Sequence, residues 1–315
     1  MKSQILDRLE ITNPDVLVKP GIGEDCSALA FGENACVLTT DPITGAVNDV
    51  GRLAVHVSCN DVASCGVKTI GLLITILAPV DSTIEDLSKI MDQINETCRE
   101  IDVSVLGGHT EVTSAVTRFV VVTTAVGKCL ASSLVKTSGA KAGDTLIMTK
   151  SAALEGTAII ASDKFEELKN VFPKDFLETA KAFVKEISVI DEGVLAGTLG
   201  AHSMHDVTEG GVLGAAWEMA EASGLGITVY KNNIPVRIET RELCKHYEMD
   251  PFRLISSGSM LIACNNELEM IEALTNIGVQ ATSIGRFTLE QNMILVGEDG
   301  TTELLPSASD EIYKL

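Results

Sequence analysis

The sequence predicts a two-domain protein, an α+β first half over residues 1–140 and an α/β second half over residues 141–315. Three observations carry that expectation. The chain has 315 residues, long for one small domain. Its residues are 45% hydrophobic but only 4% aromatic, enough for well-filled aliphatic cores. A small, polar, turn-rich stretch at 136–144, Lys-Thr-Ser-Gly-Ala-Lys-Ala-Gly-Asp, separates two differently patterned halves, with the boundary near Gly139 to Asp144.

In the first half, Ala35 to Thr40 reads as a buried strand that ends at Asp41-Pro42, because proline cannot continue a central ladder. From Val50 the apolar positions 50, 53, 54 and 57 have helical spacing. Asp61 continues that apolar face, and a buried carboxylate needs a cation or hydrogen-bond donors. Thr69 to Ala78 is a strongly apolar strand. Ser82-Thr83-Ile84-Glu85 has the form of a capping box that opens a helix reaching Ile101. Val103 to Leu106 is a strand ending at Gly107-Gly108, and Arg118 to Val126 is another β-rich run. Strands and helices segregated in this way make an α+β domain.

The second half alternates strand and helix, as an α/β layer does. Thr145 to Thr149 begins this block, and strands are expected at 227–230, 259–263 and 281–287. Helices are expected at 154–162, 175–187, 240–246 and 267–277. The Gly210-Gly211 pair opens a further helix that stops at Gly224.

The formal net charge is −20, which disfavours nucleic acid and anionic membranes, since both need clustered Lys and Arg. The eight cysteines contain no Cys-x-x-Cys pair and are scattered through apolar segments, as reduced core thiols are. Met1 to Glu10 is charged and lacks an apolar signal core. The longest apolar run, Ile70 to Val80, is far short of the ~20 residues that span a bilayer. A cytoplasmic protein with a small-molecule substrate is expected.

Acidic stretches recur beside turns and small residues: Gly-Ile-Gly-Glu-Asp (21–25), Thr-Thr-Asp-Pro (39–42), Cys-Asn-Asp-Val-Ala-Ser-Cys-Gly (59–66), Gly-Gly-His-Thr-Glu (107–111) and His-Asp-Val-Thr-Glu-Gly-Gly (205–211). Hard cations such as Mg²⁺ take carboxylate oxygens together with substrate phosphates, so the pattern suggests a metal–nucleotide site built mainly from acids. Gly107-Gly108 reads either as a backbone cradle for phosphate or as a plain strand–loop bend. The 205–211 stretch offers two acids at a helix start, where anions are favoured; the alternative is an ordinary cap by Thr208 or Asp206. His109 and His205 each sit beside acids and read as supporting groups or general acids. The chain has no P-loop, no Rossmann glycine fingerprint, no nucleophile elbow and no zinc helix.

Taken in order, these segments resemble the superfamily of aminoimidazole-ribonucleotide (AIR) synthetase, thiamine-monophosphate kinase, selenophosphate synthetase and the hydrogenase-maturation protein HypE. The HypE branch is the most similar, through 205–215, Glu218-Met219-Ala220, Ser223-Gly224-Leu225-Gly226 and Ile234-Pro235-Val236. The resemblance implies a PurM-like fold, a homodimer whose N-terminal sheets pair into a barrel, and ATP with Mg²⁺ in a groove between the domains. Carried over by position, it implies metal ligands at Asp25, Asp41, Asp61 and Asp206, with Glu111 and Glu209 as weaker ones. It implies nucleotide contacts at Gly23, Asp25, Asp41, Asn60, Gly107, Gly108, Thr110 and Thr208, and catalytic roles for Asp61, Asp206 and His109.

The chain departs from that pattern in places. HypE proteins carry the group being dehydrated on a terminal cysteine, and here the last cysteine is Cys264, so thiol-borne chemistry of the usual kind is not expected. His109 stands where an Asp is usual, and Ser256-Ser257-Gly258 where Asn-Glu-Gly is usual. The function implied is Mg²⁺-dependent phosphoryl transfer from ATP to an oxygen of a small amide or carbonyl substrate, with a maturation protein as a candidate partner. A small-molecule kinase and a catalytically quiet ATP-binding scaffold are the alternatives.

Overall fold

A computed structural model describes residues 8–44 and 49–315; residues 1–7 of the stretch read above for a signal core lie outside it. Two sheets organise the chain. The first holds β1 (Val16–Val18), β2 (Ser27–Phe31), β3 (Asn34–Ile43), β4 (Thr69–Ala78), β5 (Ser104–Val112) and β6 (Val120–Leu130). Its order is β1-β2-β3-β6-β4-β5, antiparallel except for the β4–β5 pair at one edge. Helices α1 (Val50–Ser64) and α2 (Ile84–Glu100) belong to this half, and α1 packs on β3, β6 and α2.

The second sheet holds β7 (Thr145–Thr149), β8 (Ser203–Asp206), β9 (Gly226–Tyr230), β10 (Met260–Cys264), β11 (Ala281–Thr288), β12 (Met293–Gly297) and β13 (Gly300–Glu303). Its order is β13-β12-β9-β11-β7-β10-β8, antiparallel except for β12 beside β9. Its helices are α3 (Leu154–Asp163), α4 (Phe165–Leu168), α5 (Lys174–Ala182), α6 (Ile190–Thr198), α7 (Gly211–Ser223), α8 (Ile238–His246) and α9 (Glu267–Asn276). Among the described residues, no helix is long and apolar enough to cross a membrane.

Helix α1 is buried almost all round, and this is what places the site. Val55, Cys59 and Ala63 share one core cluster with Val189, Ile190, Met204 and Met260 of the second half. Two glycine contacts allow the approach. A Cβ on Gly193 of α6 would lie 2.5 Å from the Ala63 carbonyl oxygen, and one on Gly197 would lie 2.6 Å from Gly66 Cα. The two sheets are therefore cemented through α1, and a side chain at its C-terminal end faces both.

Several expectations are corrected. β3 runs through Asp41-Pro42 to Ile43. Its outer neighbour β2 stops at Leu38, so Pro42 has a strand on one side only, at Val122, and its missing N–H is tolerated. Gly107-Gly108 do not end a strand; they lie inside β5, paired with Leu73 and Ile74. Gly108 has φ 153°, and a Cβ there would lie 1.7 Å from the Ile74 carbonyl oxygen. This pair serves close strand approach, next to a register shift at Leu72/Leu73. The cap of α2 is Thr83, which exchanges hydrogen bonds with Asp86; Ser82 lies one residue outside. His205-Asp206 close strand β8 instead of standing in a turn. Strands β1, β2, β8, β12 and β13 and helix α6 had no sequence expectation, mostly because they are short.

Candidate metal–nucleotide site

Four elements converge beside the C-terminal end of α1. On β3 the alternation that buries Ala35 and Val37 also turns Thr39 and Asp41 toward α1. The Thr39 hydroxyl lies 2.6 Å from Asp61 Oδ2 and 3.2 Å from Asp41 Oδ2, so it bridges the two carboxylates. Asp61 arrives from α1 and is 7% exposed. Asp206 arrives from the end of β8, and Asp25 from the turn before β2.

That turn is held from the segment that joins the two halves and from the second half itself. The Glu24 carboxylate accepts the backbone N–H of Thr137 at 3.2 Å and of Ser138 at 3.1 Å. Gly23 has φ 74°, and a Cβ there would lie 3.0 Å from Glu218 Cβ on α7. Asp25 then meets His205, whose Nδ1 lies 2.8 Å from Asp25 Oδ1 and 2.9 Å from Oδ2. The other ring nitrogen, Nε2, lies 3.1 Å from Glu218 Oε2. Ligand atoms of Asp25, His205 and Asp206 all fall within 4.8 Å of one another.

The electrostatics follow from crowding acids in a dry place. Burial raises the Asp61 carboxyl well above the carboxylate range, and Asp206, Asp41 and Asp25 raise it further. Burial likewise raises Asp206; Asp25 and Asp41 add to the shift and His205 opposes it. Burial alone would lower His205, but Asp25 and Glu218 outweigh it and hold the imidazole well above its usual value. Two carboxylates ~4 Å apart repel by about 4 kcal/mol at the effective dielectric of a protein surface. One histidine does not balance four aspartates.

The donor set fits a hard divalent cation. Asp206 is 2% exposed, and its Oδ2 has no hydrogen-bond partner. A buried carboxylate oxygen left without a donor is costly unless a cation takes it. Both nitrogens of His205 are engaged by carboxylates, which leaves oxygens as the ligands on offer, and Mg²⁺ takes oxygens.

Other expected site residues lie elsewhere. Asn60 is fully buried; its Nδ2 donates to the Ile187 carbonyl at 2.9 Å and its Oδ1 accepts from Val189 N–H at 2.9 Å. Those contacts make it a clamp between α1 and the loop before α6. Gly107, Gly108, His109, Thr110 and Glu111 lie on β5, exposed along its whole length, with His109 and Glu111 3.9 Å apart. β6 and β4 separate this strand from β3, which carries Asp41. Glu209 is exposed and accepts from the Tyr313 hydroxyl at 3.2 Å. At the start of α7 neither Thr208 nor Asp206 caps the helix. Gly210 stands at the cap with φ 85°, and its N–H donates to the buried Asp310 carboxylate at 2.7 Å. The anion at that helix end is the chain's own. Thr208 is half-buried, and its carbonyl accepts Ser256 N–H and Gly211 N–H.

Thr39, Glu24, His205 and Glu218 are the site's supports. Thr39 and Glu24 sit inside motifs visible in the sequence, as does His205. The pairing of His205 with Glu218 across a strand, a turn and a helix carries no local signal.

Comparison with known proteins places this geometry in a family. Residues 23–129 match the N-terminal domain of AIR synthase related proteins, and residues 141–298 match the C-terminal domain. The chain belongs to the AIR synthase-related proteins. It is 31% identical over 310 residues to a Methanocaldococcus jannaschii protein whose name assigns it to hydrogenase expression and formation, covering 94% of this chain and 89% of that one. Carbamoyl dehydratase HypE of Cupriavidus necator is 25% identical over 77% of this chain and 69% of its own. Selenide, water dikinase of Methanococcus maripaludis is 28% identical over 85% of this chain and 84% of its own. Among solved structures, HypE in a complex with HypF aligns with a TM-score of 0.75 at 23% identity, over 89% of this chain and 93% of that one. HypE in complex with ATP aligns with a TM-score of 0.73 at 19% identity, over 97% of this chain and 88% of that one. The fold is thus the PurM-like, two-domain arrangement expected from the sequence.

Proposed function

We propose that this protein is an ATP-dependent enzyme close to HypE that uses Mg²⁺ at the four-aspartate cluster. It transfers a phosphoryl group to an oxygen of a small amide or carbonyl substrate. The single observation that carries this reading is the convergence of Asp25, Asp41, Asp61 and Asp206, one of whose buried oxygens, Asp206 Oδ2, has no hydrogen-bond partner. The names of the relatives support ATP chemistry.

When bound, the cation would offset the charge of the triphosphate and let acids surround an anion. Asp25, Asp41, Asp61 and Asp206 would hold it. Thr39 keeps Asp41 and Asp61 at a fixed separation, and Asn60 locks the helix that presents Asp61. Such transfer depends on positioning more than on covalent chemistry, which suits a site made of rigid element ends.

A homodimer is part of the proposal. The outer face of the first sheet carries Ile70 and Leu73, and β5 beside it exposes Val105, Leu106 and Val112 on an edge that has no further strand among the described residues. An apolar edge of this kind invites pairing with a second copy. The HypE seen with HypF supports a partner protein. A cytoplasmic setting suits the eight cysteines, all of them free thiols.

Calorimetry of ATP binding with and without Mg²⁺ tests the reading. Binding that requires the cation is expected, and tight binding indifferent to it overturns the proposal. Product analysis then separates release of inorganic phosphate, expected for dehydration or ligation, from accumulation of a phosphorylated product, which makes the protein a kinase.

A further inference from the structure

His205 is 4% exposed, sits one residue before Asp206 on β8, and touches a carboxylate at each ring nitrogen. Asp25 comes from a turn, not from a rigid strand or helix, so its direction must be set by contacts. Glu24 anchors the turn's backbone through Thr137 and Ser138. The Asp25 side chain itself is met by His205 Nδ1 at both oxygens. The ring in turn cannot pivot freely, because Nε2 is held by Glu218 on α7, the residue against which Gly23 packs. One strand, one helix and one turn thus meet in a chain of two hydrogen bonds, Glu218–His205–Asp25.

We propose that His205 is a positioning residue, which, steadied by Glu218, aims the Asp25 carboxylate at the divalent cation. The inference rests on the cation reading given above. A histidine with one face toward a ligating carboxylate and the other tied down acts through orientation. Its β8 neighbour Asp206 offers a carboxylate oxygen within 4.8 Å of the ligand atoms of Asp25 and His205, so the same strand carries both the positioning residue and a second candidate ligand.

The test uses the full chain and Mn²⁺ as the probe, with free Mn²⁺ read by electron paramagnetic resonance in the presence and absence of ATP. His205→Asn places an amide N–H near the old Nδ1 and keeps the bond to Asp25. His205→Gln places it near Nε2 and keeps the bond to Glu218 instead. Both remove the imidazole, and both are neutral. We expect Asn to retain Mn²⁺ affinity to within about 3-fold and Gln to weaken it by about 10-fold or more, the usual scale for lost outer contacts. Glu218→Ala, which leaves His205 in place, should weaken binding by a smaller factor and serves if the His205 variants do not fold. Equal affinities for Asn and Gln, or an unchanged Glu218→Ala, overturn the positioning role. A wild-type chain that binds no Mn²⁺ with or without ATP overturns the cation reading itself.

Discussion

The turn at 21–25 and the segment at 107–111 have nearly the same vocabulary, with glycines, an acid and a hydroxyl or second acid close by, yet the structure treats them oppositely. Asp25 is drawn inward by His205 of the second domain, and Glu24 is bonded to Thr137 and Ser138 in the segment that leads into it. His109 and Glu111 stand on an exposed edge strand, 68% and 54% exposed, facing each other loosely. The difference lies in what each segment is attached to. The first leads into β2 and lies against α7. The second is an edge strand whose glycines admit the neighbouring backbone, two strands away from the one that carries Asp41. Composition nominates an acidic segment, but the partners packed around it decide whether it forms a site.

The largest effect expected from this contrast is on metal–nucleotide binding. Asp61→Asn or Asp206→Asn should weaken Mg²⁺·ATP binding by about 100-fold, in the range of 2–3 kcal/mol for a lost charged contact. His109→Ala and Glu111→Gln should leave the affinity of an isolated protomer within about 2-fold. Calorimetry on all four variants checks this, and an equal loss at Glu111 would erase the distinction between the segments.

The clamp at Asn60 comes next. Asn60→Ala strands the Ile187 carbonyl and the Val189 N–H in a buried place. A loss of about 2–4 kcal/mol of stability is expected in urea unfolding, the summed cost of two unsatisfied groups.

The pH response sharpens the comparison further. Asp61 and Asp206 have folded-state pKa values raised above the ordinary 3.8, so the cation-free protein is most stable where they stay protonated. Stability then falls as pH rises through their raised values. His205, raised above 6.5, adds stability that is fully present below that value and is lost as pH passes its folded-state pKa. Both act in the same direction. The melting temperature of the chelated protein should fall as pH is raised above 3.8 and fall further above 6.5, while the gain on adding Mg²⁺ grows. A melting temperature that rises instead would contradict the buried acid cluster.

The smallest effect concerns the helix end that holds an internal anion. Asp310→Ala removes the carboxylate from Gly210 N–H and should cost about 1–2 kcal/mol, as other lost helix caps do. If Asp310→Ala costs nothing while Mg²⁺·ATP affinity rises, the helix end is a ligand site after all.

Much of the fold was legible in local pattern. Strand Thr69–Ala78 and helix Leu154–Asp163 are long enough for period and apolar content to mark them. Strands of three to five residues such as β1 and β8 are too short to leave a period, and their pairing partners are far away in sequence. The proline in β3 misled because edge and interior positions differ only in what lies alongside.

By itself, the sequence determined the two-domain division of pattern, the helix that carries Asp61 on its apolar face, and the acid-bearing segments that supply Asp25, Asp41 and Asp206. Only the tertiary structure decided that Asn60 clamps, that Gly108 makes room for Ile74, that Asp310 fills a helix end, and that His205 links Glu218 to Asp25. The reason is range. Periodicity and turn chemistry act over a few residues, whereas these contacts span from 13 to 180 positions, and those of Asn60 and Asp25 exist only once the two halves close on each other.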